Sequence, residues 1–160
     1  TDLPDHLENA RDWLIISCYT GQRVSDFLRF TKEMIRVENG KHLLEFTQQK
    51  TNKIMTIPLH SKVLEILQKR NGDFPYTISD QKYNDYIKKV CEIAKINNKI
   101  IGSKKVETVK DSGIYRKKTD TYKKHELVSS HIGRRSFATN LYGKIDTLTI
   151  MKITGHKTEA

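Results

Sequence analysis

Four short stretches hold the side chains of this sequence that could do chemistry, and all four are basic. In Thr20-Gly21-Gln22-Arg23-Val24-Ser25-Asp26 an arginine follows a glycine turn at the start of a helical pattern. A guanidinium there can grip phosphate oxygens as a bidentate fork, helped by the positive end of the helix. The same arginine could instead pair with Asp26, three residues on, as an ordinary surface ion pair. Lys50 stands in QQKTNK between two β-leaning runs. A turn lysine is usually just solvated, yet an ammonium at a hairpin tip can protonate a departing alkoxide when neighbouring arginines depress its pKa. Lys53 competes for that role. In SSHIGRRSFATN, His131 and Arg134 are three apart, so a helix would put imidazole and guanidinium on one face, with Ala138, Leu141 and Phe137 toward the core. His156 follows Gly155 in ITGHKT, a place where histidines also gather for dipole reasons alone.

Isolated Arg, Lys and His residues among Gly, Ser and Thr suit phosphate chemistry, and other chemistries lack their signatures. The sequence has no Gly-Lys-Ser/Thr nucleotide loop, no GxGxxG, no HExxH and no cluster of carboxylates. No cofactor is expected. The two cysteines, Cys18 and Cys91, each sit in an apolar helical stretch away from any His, and read as buried thiols of a reduced, intracellular protein. No apolar run is long enough to span a membrane, and TDLPDHLENA does not look like a signal peptide.

Charge points to a polyanionic partner. The 160 residues carry 29 Lys+Arg against 19 Asp+Glu, a formal +10. Residues 97–125 hold 9 basic and 3 acidic side chains, so +6 of that excess lies in one segment. Lys104, Lys105, Arg116, Lys117 and Lys118 are the candidate phosphate contacts there, the alternative being a lysine-rich solvated loop.

These residues need elements to position them. One domain is expected at this length. Apolar spacing predicts a helix from Asp5 to Tyr19 stopping at Gly21, and a short one through Val24, Phe27, Leu28 and Phe30. Residues 35–37, 42–48 and 52–59 read as three strands of a small antiparallel sheet, joined by Glu38-Asn39-Gly40 and by the Lys50 turn. Helical periodicity resumes at Val63–Leu67 and again from Ser79 to Ile96. Two lysine-laden β-rich flanks around Asp111-Ser112-Gly113 predict an exposed hairpin. Ser129 or Ser130 can N-cap a helix through Tyr142, and a last helix over 147–154 ends at Gly155. The class is α+β, mostly helical.

In their order, the four stretches resemble the tyrosine recombinases, or phage integrase family. TGQRVSD looks like the first arginine box of that family, and QQKTNKIMTIPL like its hairpin lysine and following strand. HIGRRSFAT is similar to the H-x-x-R box and ITGHKT to the glycine-histidine box. The Ser/Thr/Lys-rich passage before His131 also resembles integrases of mobile elements in the Bacteroides group.

The resemblance implies the catalytic-domain fold of the family, across nearly the whole chain, acting on double-stranded DNA in the bacterial cytoplasm, at the nucleoid. It assigns Arg23 and Arg134 to the non-bridging oxygens of the scissile phosphate and Lys50 as general acid to the leaving 5′-oxygen. His131 would assist proton transfer at the nucleophile, His156 would hydrogen-bond the phosphate, and Asp26 would orient its neighbours. Arg135 stands where many members have a second histidine and receives no role; Gln22 falls in a variable position and Thr154 replaces a common leucine. The attacking tyrosine follows the last histidine in the family, but none of the seven tyrosines here lies beyond His156. The expectation is a catalytic domain cut before its nucleophile and lacking the N-terminal core-binding domain. On that reading it is monomeric and inactive alone, and its parent is tetrameric on DNA. A type IB topoisomerase, a non-catalytic DNA-binding module of the same fold and a basic RNA-binding domain are the rivals. The second histidine box disfavours the first, a downstream tyrosine would exclude the second, and the third would need a platform of exposed aromatics.

Overall fold

The computed structural model of the chain describes residues 2–156. Helix α1 (Asp5–Thr20) is the axis, with Leu7, Ala10, Trp13 and Ile16 buried together with Asn9, Asp12, Ser17 and Thr20. A helix covered on several faces must find partners for its polar groups. The Asn9 amide and the Trp13 indole both donate to the Tyr76 carbonyl, at 2.9 and 3.0 Å. Asp12 accepts from Lys69 at 2.8 Å and Arg70 at 2.9 Å, which fastens α3 (Ser61–Lys69) to the axis. Around Trp13 lies an aromatic cluster in which Phe74 stacks on the indole and Phe27 meets Tyr83 edge-on. Tyr83 comes from α4 (Asp80–Ile93), whose N-cap Ser79 accepts from the Lys82 N–H.

α1 ends as its glycine predicts: Gly21 adopts φ +67° and returns its N–H to the Ser17 carbonyl. The next helix, α2, is only Val24–Phe27, shorter than the apolar pattern suggests, because Leu28 and Phe30 are buried from a turn instead. Strands β1 (Ile35–Glu38), β2 (Lys41–Thr47) and β3 (Ile54–Pro58) form the expected antiparallel sheet in sequence order. Leu44 faces Ile57 and Phe46 faces Met55 in the β2–β3 register. Phe46 reaches the aromatic cluster through Phe30, ring centroids 4.8 Å apart.

The basic segment is the expected hairpin, β4 (Lys99–Glu107) and β5 (Tyr115–Lys123). It is held at its base where Gly102 lies against Leu127; a Cβ there would come within 2.4 Å of a leucine methyl. Its register sets Lys99 opposite Lys123, Lys104 opposite Lys118 and Lys105 opposite Lys117. Like charges directly across a ladder destabilise it.

α5 (Ile132–Leu141) crosses α1 where Gly133 meets Ser17. Here the structure corrects the sequence reading: neither Ser129 nor Ser130 caps this helix through its hydroxyl. The N-cap is His131, the Ser129 carbonyl accepts from the Ile132 N–H, and the Ser130 N–H donates to Asn84 of α4 at 2.8 Å. Phe137 is the buried core residue of α5, whereas Ala138 and Leu141 are only half-buried. Cys18 is likewise half-buried rather than buried; Cys91 is buried, and desolvation raises the pKa of both thiols. Helix α6 (Thr147–Thr154) starts on an Asp146 cap and ends at Gly155, φ +74°.

Candidate active site

The four stretches are linked beside the α1–α5 contact, through Arg23, Arg134 and His156 themselves and, for the Lys50 turn, through Gln48 and Gln49. Arg23 is the N-cap of α2, set by the left-handed turn at Gly21. Phe137 of α5 packs onto that glycine so closely that a Cβ would lie 2.6 Å from its ring. One turn earlier on α5 is Arg134, 6% exposed despite its charge. The Nη1 atoms of Arg23 and Arg134 are both buried and without a hydrogen-bond partner among the described residues. Unpaired buried donors on charged groups are costly. Desolvation first, and then the Arg23 charge, pull the Arg134 pKa down to about 10, with Asp26 opposing. The guanidinium is still charged at neutral pH, and the arrangement is one that an anion would satisfy.

His156 joins this pair. The Nε–H of Arg134 donates to His156 Nε2 at 3.3 Å, and His156 Nδ1 lies 2.8 Å from Thr154 Oγ1. The Thr154 hydroxyl spends its proton on the Ile150 carbonyl at 2.9 Å, so Nδ1 must be the donor and the ring is the neutral Nδ1–H tautomer. Partial desolvation, then the charges of Arg134 and Arg23, hold the His156 pKa below the ordinary imidazole value. Lys157 and Thr158 of the same stretch lie outside the described residues.

Asp26 does not pair with Arg23. Its buried carboxylate accepts the Gln49 N–H at 2.8 Å and meets Arg29 at 3.4 Å. It therefore ties the first arginine's helix to the turn that carries Lys50. That turn closes with Gln48 N–H to the Lys53 carbonyl and Asn52 N–H to the Gln48 carbonyl, both 2.9 Å, with Asn52 at φ +53°. Lys50 and Lys53 are both exposed. His131, also exposed, shares with Arg134, Arg135 and His156 the wall of a cleft of about 590 Å³. Tyr142 lies on the same cleft, but it caps α5 eight residues after Arg134, about 12 Å along the axis at 1.5 Å per residue. A second cleft, of about 560 Å³, opens elsewhere on α5, lined by Tyr19, Leu59, Leu141 and Ile153, and holds none of the candidate residues.

The hairpin residues form no part of this cluster, and the ladder sorts them onto two faces. Lys105 and Lys117 share one face; Lys104, Lys118 and Arg116 share the other. Lys104 is engaged, 2.6 Å from Glu126 and over the Tyr122 ring, and Lys118 approaches Asp120 at 3.5 Å.

Two residues at the site carry no signal in the sequence. Gln22 and Gln48 are both 0% exposed. Gln22 Nε2 donates to the carbonyls of Thr20 (2.9 Å) and Ile153 (2.7 Å), and its Oε1 accepts from Gln48 Nε2 at 2.9 Å. Gln48 Oε1 accepts the Thr51 hydroxyl at 2.7 Å. A glutamine among turn residues reads as solvated.

Among the described residues, no three His, Cys, Asp or Glu side chains are gathered as a metal site requires, and no helix is long and apolar enough to cross a membrane. No curated protein matches the chain by sequence. Its fold is similar to that of the XerH site-specific recombinase bound to a palindromic difH substrate in a post-cleavage complex. The TM-score is 0.65 at 16% identity, over 99% of this chain and 42% of that one. The pre-cleavage complex of XerH with difH gives 0.58 at 18% identity, over 96% and 45%. The chain thus spans less than half the length of either recombinase chain. The sequence pattern of the phage integrase family matches residues 7–160. With that match and the fold, the chain belongs to the phage integrase family, as a tyrosine-recombinase catalytic domain.

Proposed function

We propose that residues 1–160 are the catalytic domain of a DNA strand transferase that recombines or integrates DNA at defined sites through a 3′-phosphotyrosyl intermediate. The observation that carries this reading is the pair of buried, unpaired Nη1 atoms of Arg23 and Arg134, drawn from distant parts of the chain. Family membership and the likeness to recombinases bound to DNA support it.

Arg23 and Arg134 take the non-bridging oxygens of the scissile phosphate and offset the charge that builds up in the pentacoordinate transition state. The nucleophile is a tyrosine of the parent protein, C-terminal to this stretch. Its oxygen bonds to phosphorus as the P–O5′ bond breaks, the phenolic proton leaves with help from His131, and Lys50 protonates the 5′-oxygen. His156, once protonated at Nε2 and released from the Arg134 Nε–H, donates to the phosphate, and Asp26 holds the helix of Arg23 and the Lys50 turn together. The phosphotyrosine conserves the bond energy for a second 5′-hydroxyl to reverse the step. Lys105, Arg116, Lys117 and Lys118, with Lys104 once released from Glu126, contact the duplex backbone. The parent works as a tetramer on two DNA sites; this stretch alone is a monomer in the absence of DNA and does not cleave.

The test is covalent capture. The full-length protein, mixed with a nicked duplex carrying its own site, should form a protein–DNA adduct on a denaturing gel. Lys50→Ala should slow adduct formation by roughly 10²–10⁴, the usual contribution of a general acid, while Lys53→Ala stays near wild type. Failure of the intact protein to form any adduct would overturn the reading.

A further inference from the structure

Resting on that reading, we propose that Gln22 and Gln48 are positioning residues: a buried chain of amides that sets the Lys50 turn in register with Arg23 and His156. The chain of donors runs one way. The Thr51 hydroxyl donates to Gln48, the Gln48 amide donates to Gln22, and Gln22 spends both N–H groups on the carbonyls of Thr20 and Ile153. All four bonds are 2.7 to 2.9 Å. Neither amide can be flipped without setting oxygen against oxygen, because Gln22 Nε2 faces two carbonyls and a turned Gln48 would bring its own Oε1 against Gln22 Oε1.

Each end of the chain lands beside a group that acts on phosphate. Thr51 is the residue after Lys50. Thr20 and Gln22 flank the glycine turn that sets Arg23. Ile153 is the third residue before His156, and Gly155 sits against the Gln48 amide, where a Cβ would be 3.2 Å from Oε1 at φ +74°. Burying two amides costs free energy unless every polar atom is paired, and apolar side chains would fill the same space at lower cost. What the amides add is direction and fixed length between three separate segments. A general acid on an exposed turn needs that, because a misplacement of about 1 Å can cost a hundredfold in rate. Asp26, through the Gln49 N–H, anchors the other side of the same turn.

The experiment uses the full-length protein and two duplexes, one with the natural 5′-oxygen at the scissile bond and one with a 5′-bridging sulfur. A thiolate leaves without being protonated, since its conjugate acid is far stronger than an alcohol. On the oxygen substrate, Gln48→Met should lose roughly 10- to 100-fold in cleavage rate. The sulfur substrate should restore most of that loss, as it should for Lys50→Ala. Thr51→Val, at the half-buried end of the chain and no threat to folding, should show the same selectivity more weakly. Equal losses of both Gln48→Met and Thr51→Val on the two substrates, or no loss for either, would overturn the positioning role; so would failure of sulfur to rescue Lys50→Ala. A wild-type protein that forms no adduct on either substrate would instead sink the functional reading beneath it.

Discussion

At the scale of residues, the free site is built against its own stability. Arg134 is buried beside a like charge with one donor unsatisfied, and burial together with the Arg23 charge holds its pKa below the ordinary arginine value. An unpaired buried charge costs free energy, and even a whole buried ion pair is often replaced by apolar side chains of similar volume with a gain of about 1–4 kcal/mol. Arg134→Met should therefore raise the melting temperature by several degrees while abolishing cleavage, as differential scanning calorimetry and the adduct assay would read; a lower melting temperature would count against the conflict described here. His156 gives a second test, with a sign. Its pKa is depressed in the folded state, so the unfolded chain takes up the proton first as pH falls. The stability contributed by the neutral ring is complete above about pH 6.5 and is lost as pH drops from there toward the lowered folded value. Between pH 7.5 and 5.5, His156→Gln should lose less thermal stability than wild type. A bound phosphate favours the imidazolium, so DNA affinity should change in the opposite direction, rising across the same window.

Elements decide whether these residues meet. α5 carries His131 and Arg134, and its distance from α1 is set by the absence of a side chain at position 133. A Cβ there would lie 1.9 Å from Ser17 Oγ and 2.9 Å from the Ser17 backbone carbon. A flexible hydroxyl can move, but backbone cannot. Gly133→Ala should cost about 1–3 kcal/mol, seen as a lower denaturation midpoint, and should weaken DNA cleavage beyond what stability explains because Arg134 moves with the helix. Unchanged stability would show that the crossing can give. Much at this scale was legible beforehand. Glycine stops at positions 21 and 155, the β-leaning runs and turns of β1–β3 and the hairpin around Asp111-Ser112-Gly113 all depend on local rules, and local rules can be read from neighbours. The start of α5 could not be read that way. The Ser130 N–H goes to Asn84, 46 residues away, and not to a local partner.

Across the whole molecule, the site is an agreement among distant segments. Arg23, Arg134 and His156, together with the turn of Lys50, are named by sequence motif, yet what joins them is not. Gln22 meets Ile153 over 131 residues and Gln48 over 26, and no periodicity announces a glutamine that will be buried by partners so far off. The resemblance gives Asp26 a supporting role without saying how; its partners are the Gln49 backbone and Arg29, and the alternative ion pair with Arg23 does not form. The basic arm was found by charge counting, but its division into two faces, with Lys104 held by Glu126, needs the strand register.

That register has a consequence for how the arm behaves in time. Three lysine pairs stand directly across the β4–β5 ladder, and only Lys104 and Lys118 have carboxylates beside them, Glu126 and Asp120, so the strands push apart as they pair. A polyanion lying along the arm would relieve that repulsion and slow the opening of the ladder. In hydrogen–deuterium exchange, duplex DNA should protect the amides of residues 99–123 more than those of β1–β3, and rising salt should mimic part of that protection without any DNA. The arm would then be a clasp that its own cargo tightens.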